Sequence, residues 1–349
     1  MRLQSTAGYC GAVSGEGGGS SWLADRIGKP YRLAVLVVVA GALALGASVG
    51  VASTVGFEPV WRRLLHPHWF WLLVALAGEA FAYLGYTLAY REIARAEQGA
   101  ELSVPRLAAL VATGFGVFVR GGGFALDRAA LERAGLTERD ARDRVLGLGA
   151  LEYAFLAPAT ALAALWIIVR GEPVGESLTL PWLIGVPVGA GLALTALRHK
   201  QVFNRRGWRG HVYDWLRSLD LLLCLVRRPV RGALAFLGIG CYWLGDVFCL
   251  WATLHGFSAH TPPIAALLVG YATGYALTRR ALPLGGAGIV EALLPFALGW
   301  VAIARVPALL GVVSYRIINL WLPMLPALAG LPSLSRLQRV RRAPARRRA

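Results

Sequence analysis

Arg279-Arg280-Ala281-Leu282-Pro283-Leu284-Gly285-Gly286-Ala287-Gly288-Ile289-Val290-Glu291 decides how the rest of the chain is read. It sets two cations, a carboxylate, a proline and three glycines between two apolar stretches, Ile264–Thr278 and Ile289–Ile303, both short for a membrane span. Charge and broken backbone at membrane depth are expensive, and they persist only where protein or a water-filled cavity surrounds them. If the neighbours are membrane helices, this stretch is the first candidate for a working site.

The neighbours read as membrane helices. The 349 residues are 56% hydrophobic and 16% charged, with a mean hydropathy of +0.55, whereas a soluble chain carries about a quarter charged residues. The apolar residues come in blocks of roughly 20, the length that crosses a ~30 Å hydrocarbon core. Full spans are expected at Tyr31–Ser53, Trp69–Tyr90, Leu146–Ile168, Pro181–Leu197, Gly232–Leu254 and Pro307–Leu331. The first carries a run of small residues, Ala40 to Gly50, that permits close helix contact. The expected fold is an all-α polytopic membrane bundle, with residues 1–30 a flexible lead-in, 31–332 the membrane domain and 333–349 a basic tail.

The formal net charge of +17 gathers in short segments between the apolar blocks and in the tail. That placement follows the positive-inside rule and attraction to anionic lipid, and it argues against nucleic acid as a partner. It puts both termini in the cytoplasm and the chain in the cytoplasmic membrane. Cys10, Cys224, Cys241 and Cys249 lack the spacing of a disulfide framework or metal site. His66 and His68 flank Pro67 without a third ligand. No HExxH, GxSxG or P-loop occurs, so no metal, cofactor or enzyme signature is expected.

Orientation constrains the remaining segments. The basic loop Arg198–Arg231 and the tail both belong in the cytoplasm, and counting spans back places Arg91–Arg106 and Asp127–Arg144 there too. The apolar segment between those two must dip in and return, giving one hairpin at residues 105–125. The same count makes residues 264–303 a second, entering from the other side. Ala112-Thr113-Gly114-Phe115 matches Ala272-Thr273-Gly274-Tyr275, and Arg120 falls at the offset of Arg280. Opposite entry sides and this match predict an inverted repeat whose broken helices meet near the midplane. Asp127–Arg144 has the pattern of a short surface helix, and Val212–Val226 that of an amphipathic helix on the bilayer, anchored by Trp215.

Gly285, Gly286 and Gly288 precede a helix whose free N–H groups suit an anion. Glu291, in its first turn, has three readings: pairing with Arg316, pairing with Arg280, or carrying a coupling proton. Arg316 lies some nine residues into an apolar span, where an unpaired cation costs at least ~2.5–3.5 kcal/mol. Asn319 shares its face, and Tyr315 adjoins it. Glu79, Glu152 and Asp246 are single acids within spans, placed as supporting or coupling groups.

Pro283–Glu291 and Tyr315-Arg316-Ile317-Ile318-Asn319-Leu320-Trp321-Leu322-Pro323 resemble the lysylphosphatidylglycerol synthase transmembrane family, also called flippase-like. Its usual pattern is Pro-Gly-Gly-x-Gly-x-x-Glu followed by a Tyr-Arg helix. Arg120–Glu152, with Arg128, resembles the first-half hairpin. Leu284 stands where the proline before the glycine pair is usual, with Pro283 one step earlier. The resemblance runs from about Tyr31 to Pro332 and implies handling of anionic phospholipids or polyprenyl phosphates. It implies no soluble aminoacyl-transferase domain within these residues. The leading expectation is a lipid translocase. The alternatives are a membrane transferase acting on a lipid-linked phosphate and a scaffold for a separate lipid synthase.

Overall fold

The computed structural model describes residues 30–96, 99, 101–105, 107–108, 110–111, 122–203, 208–227, 229–258, 262–276 and 283–324. Among them no strand occurs, and six helices are long and apolar enough to cross a membrane. These are α1 (Pro30–Val55), α3 (Trp69–Arg95), α5 (Glu138–Arg170), α6 (Glu176–Arg198), α8 (Pro229–His255) and α11 (Arg305–Arg316), the last continued by a π-helical turn, Ile317–Trp321. Shorter helices fill between them: α2 (Phe57–Leu64), α4 (Gly122–Arg133), α7 (Trp208–Val226), α9 (Ile264–Tyr271) and α10 (Ile289–Gly299).

The bundle is built on the antiparallel pair α3 and α8. A Cβ on Gly85 would lie 2.6 Å from the Gly238 carbonyl oxygen and the Tyr242 nitrogen, and one on Gly245 would lie 2.6 Å from the Gly78 oxygen. The two backbones therefore touch, which in a membrane only small residues permit. In both helices the residue after a seam glycine is an acid, Glu79 after Gly78 and Asp246 after Gly245. The small residues of α1 play a lesser part. Ala40 and Ala44 pack on Ala287, Leu320 and Met324, but nothing lies within 4 Å of a Cβ on Gly46 or Gly50. α1 is peripheral, with Val38, Leu43 and Leu45 exposed.

The two ends of the bundle are held differently. At one, His68 N–H donates to the Gly256 carbonyl at 2.9 Å, Arg63 Nε donates to the Phe257 carbonyl at 2.6 Å, and Trp71 packs on Trp251 and His255. At the other, Arg144 donates to the Ala94 and Ala96 carbonyls that end α3 (3.3 and 2.6 Å). Arg217 pairs with Asp143 at 2.9 Å and Lys200 with Asp220 at 2.6 Å.

This second end corrects two expectations. Asp127–Arg144 is not one surface helix. It breaks at Gly135, whose φ is 98°, and Thr137 opens α5 by accepting the Asp140 N–H at 3.1 Å. Asp143 and Arg144 are buried because they bind α7 and the end of α3. The amphipathic segment does form, as α7, and Trp215 is exposed, but α7 packs on α5, with Leu221 against Gly147, rather than resting on lipid alone.

Within residues 264–303 two short arms pack side by side. α9 passes into a π-helical turn, Ala272–Ala276, and α10 runs back beside it. A Cβ on Gly274 would meet Ala297 Cβ at 2.8 Å, and one on Gly270 would meet Val301 at 3.4 Å, so the arms are antiparallel. Gly288, at the tip, rests on Leu43 of α1, midway along that helix. Residues 277–282, which join the arms, lie outside the described residues, and the described part of the turn sits about halfway along α1. For the hairpin at 105–125, Leu107, Leu110 and Val111 are buried in the main core. Its turn, with Arg120 and the matching stretch Ala112–Phe115, lies outside the described residues, as does the last span beyond Met324.

Candidate functional site

The tip of the hairpin is a run of left-handed backbone. Leu284 (φ 54°, ψ 32°), Gly285 (62°), Gly286 (73°) and Gly288 (85°) all have positive φ. Glycine takes such angles freely, whereas an L-side chain pays roughly 1–2 kcal/mol. Leu284 is held there while packing against the cluster of Ala40, Ala44, Leu320 and Met324. A proline could not stand at this residue, because its ring fixes φ near −65°. The turn therefore differs in backbone from one with proline at that position.

The reversed backbone turns the Gly285 carbonyl toward Arg316 of α11 and the Gly288 N–H toward Glu291. Glu291, in the first turn of α10, accepts from Gly288 N–H through Oε2 at 2.7 Å and from Arg316 Nε through Oε1 at 2.9 Å. A second nitrogen of Arg316 donates to the Gly285 carbonyl at 2.7 Å, and its guanidinium carbon stands 5.6 Å from the centre of the Tyr275 ring. Both side chains of the pair are 2% exposed. Of the three readings of Glu291, the structure shows pairing with Arg316. The helix N-terminus that the glycines open is filled by the chain's own carboxylate.

Behind this pair stands a polar cluster. Asn319 accepts from Tyr275 O–H at 3.2 Å, and its amide nitrogen donates to Glu79 Oε1 at 3.1 Å and Asp246 Oδ1 at 2.8 Å. Asp246 also accepts from Tyr315 O–H at 2.9 Å and, through Oδ2, from Tyr271 O–H. Glu79 is ten residues into α3, Tyr315 ten into α11, and Asp246 nine from the end of α8. At 1.5 Å per residue all stand about 15 Å below one face, near the middle of a ~30 Å core.

Both hydrogen-bonding partners at the centre, Tyr275 and Asn319, sit on π-helical turns. Such turns rotate side chains off the α-helical register and concentrate at functional sites. They carry no sequence signature, which is why the sequence shows Tyr275 only in the repeat match and not as a site residue. Tyr271 was equally silent, a tyrosine in an apolar arm. The close approach of Glu79 and Asp246 had one visible sign, the glycine before each acid.

Gly285, Gly288, Glu291, Tyr315, Arg316, Asn319, Glu79 and Asp246 are thus brought together, with Gly286 buried in the same turn. Glu152 is buried on α5, where its backbone carbonyl accepts from Trp243 Nε1 at 3.0 Å, and it is not part of the bonds just described. Arg120 and Arg280 lie outside the described residues. A cavity of about 550 Å³, lined by Glu58, Arg62, Arg63, His66, His68 and Phe257, opens at the end of the bundle where α2 lies, and none of the cluster lines it. Among the described residues no group of His, Cys, Asp and Glu could hold a metal ion.

No curated protein matches the chain. The sequence profile of the lysylphosphatidylglycerol synthase transmembrane region matches residues 32–327, nearly all of the membrane domain, and the chain belongs to that family.

Proposed function

We propose that this member of the lysylphosphatidylglycerol synthase transmembrane family moves an anionic lipid, a phospholipid or a polyprenyl phosphate, between the leaflets of the cytoplasmic membrane. The observation that carries this reading is the position of Glu291. One of its oxygens is on a buried guanidinium and the other on a helix N-terminal N–H. Charged and backbone donors of this kind receive phosphate oxygens equally well. Glu291 then stands in for the lipid phosphate and keeps the site closed when empty. A headgroup arriving at the hairpin tip, drawn by Arg280, takes Arg316 and Gly288 N–H as Glu291 swings away. The acyl or prenyl tail stays in lipid. Arg120, at the matching offset in the first hairpin, serves the other leaflet. The basic end of the bundle faces the cytoplasm, and both termini lie on that side.

The test is movement of a fluorescent phosphatidylglycerol across vesicles holding the purified protein, read by quenching of the outer leaflet. The protein speeds movement over protein-free vesicles, and Arg316→Met and Glu291→Gln each remove that gain. Vesicles in which the wild-type chain moves neither phosphatidylglycerol nor a prenyl phosphate refute the reading. Recovery of a chemically altered lipid points instead to a transferase, and co-purification with a soluble enzyme to a scaffold.

A further inference from the structure

We infer that the cavity at the α2 end of the bundle holds the phosphate of an anionic lipid in the outer leaflet, a binding place separate from the buried cluster. α2 prepares it. Gly56, at a φ of 91°, ends α1 and turns the chain aside, and Val60 fastens α2 to Val51 and Ala52 of α1 and to Leu309 of α11. At about 100° per residue, Phe57, Trp61, Leu64 and Leu65 fall on the side of Val60, and Glu58, Arg62 and Arg63 fall on the other. The first four are nonetheless exposed, as are Trp69 and Phe70 where α3 begins. A short helix with bare aromatic and leucine side chains on one face and cations on the other, set where two spans end, has the make-up of one lying in the membrane–water boundary. With the basic end of the bundle in the cytoplasm, as proposed above, this boundary is the outer one.

The lining of the cavity suits an anion. At about 550 Å³ it has the volume of a small-ligand site. One wall is α2 with the turn His66–His68, and the other is the end of α8 at Gly256 and Phe257. The bonds from His68 N–H to the Gly256 carbonyl and from Arg63 Nε to the Phe257 carbonyl tie the walls together. They also cover carbonyls at the negative end of the α8 dipole, which would otherwise repel an anion. Arg63 makes its bond through Nε, and the edge formed by its two terminal nitrogens is the one that grips a phosphate by parallel bonds. Arg62 pairs with Glu58 at 2.6 Å, both side chains largely exposed, and such a pair opens at little cost. His66 and His68 each bring at least one ring N–H. Two guanidiniums and two imidazoles thus stand against one carboxylate. The sequence that continues from the α8 wall, Ser258-Ala259-His260-Thr261-Pro262-Pro263, adds a base and no acid.

The ligand is a lipid, not a free anion, because of what adjoins the cations. Trp61, Leu64 and Leu65 interleave with Arg62, Arg63 and His66 along the chain and are exposed. A headgroup in the cavity lays its glycerol and acyl chains against them. Neither Glu291 nor Arg316 lines the cavity, so its occupant does not compete with the ionic pair at the hairpin tip. On the translocase reading it is where a headgroup rests on the outer side, but the site itself does not depend on any lipid crossing.

The test places the purified full chain in phosphatidylcholine nanodiscs and compares quenching of its tryptophans by brominated phosphatidylglycerol and by brominated phosphatidylcholine. Trp61 and Trp69 stand exposed beside the cavity, and the quenching lost in Trp61→Phe/Trp69→Phe is their share. That share is larger with phosphatidylglycerol at equal mole fraction. Arg62→Gln raises the mole fraction of phosphatidylglycerol needed for half the effect roughly fivefold, the worth of one basic residue beside anionic lipid. Arg62→Gln/His66→Gln abolishes the preference, and because both positions are exposed the variant keeps its fold. Equal quenching by the two lipids, or a preference indifferent to Arg62→Gln/His66→Gln, overturns the site. Inorganic phosphate in the medium leaves the preference intact. Loss of the preference in phosphate assigns the cavity to a free anion and overturns the lipid.

Discussion

Replacing Glu291 by Gln changes one buried charge and little else. The Gln carbonyl still accepts from Gly288 N–H, so the cap on α10 survives, while Arg316 loses the carboxylate 2.9 Å away. With both side chains 2% exposed, water cannot replace the lost partner, and a buried charge stripped of its counter-ion costs about 3–5 kcal/mol. Arg316→Met costs a similar amount by stranding Glu291. The double variant leaves no unpaired charge. Its main loss is the donor to the Gly285 carbonyl, about 1–3 kcal/mol for a buried acceptor. It is therefore more stable than either single variant, with a coupling of at least about 2 kcal/mol. Unfolding of the three variants and wild type by denaturing detergent in mixed micelles measures all four corners of the cycle. Additivity within about 0.5 kcal/mol means that the pair is not coupled, and it refutes the picture of a closed ionic latch between hairpin tip and α11.

Two further outcomes follow from backbone geometry. Gly85→Ala puts a Cβ 2.6 Å from two backbone atoms of α8 and forces the seam apart, lowering stability by about 1–3 kcal/mol as an overpacked contact. The same change at Gly46, with open space around it, is neutral or slightly stabilising, and melting in detergent compares the two. Leu284→Pro, which restores the residue usual before the glycine pair, conflicts with a φ of 54° and destabilises by more than about 1 kcal/mol. A Leu284→Pro variant as stable as wild type shows the left-handed turn to be wrong.

The membrane bundle was legible because hydropathy acts over whole helices. The six spans need only length and composition, and the hairpin at 264–303 follows from two arms too short to cross. Arg316, Glu291 and Asn319 were legible for a related reason. Polar groups among Leu, Ile and Val must find partners, so their presence predicts a cluster. The sequence could not say which partners they find. Whether Glu291 meets Arg316 or Arg280 depends on the left-handed turn at Leu284, and that turn is tertiary strain no local preference encodes. Tyr275 meets Asn319 only because two π-helical turns rotate them together. The charged run before α5 misled because charge usually marks a wet surface, whereas Asp143 and Arg144 are spent on α7 and on the carbonyls that end α3.

The span between Glu79 and its partners along the chain also has a meaning in time. Asn319 lies 240 residues after Glu79, and a ribosome adding roughly 5–20 residues per second takes on the order of tens of seconds to reach it. Until Pro229–His255 has been made, α3 sits in the bilayer with its acid but without α8, and α9 and α11 arrive later still. Closing α8 on the Gly78 seam, and then bringing Asn319 to Glu79, are therefore late steps of assembly.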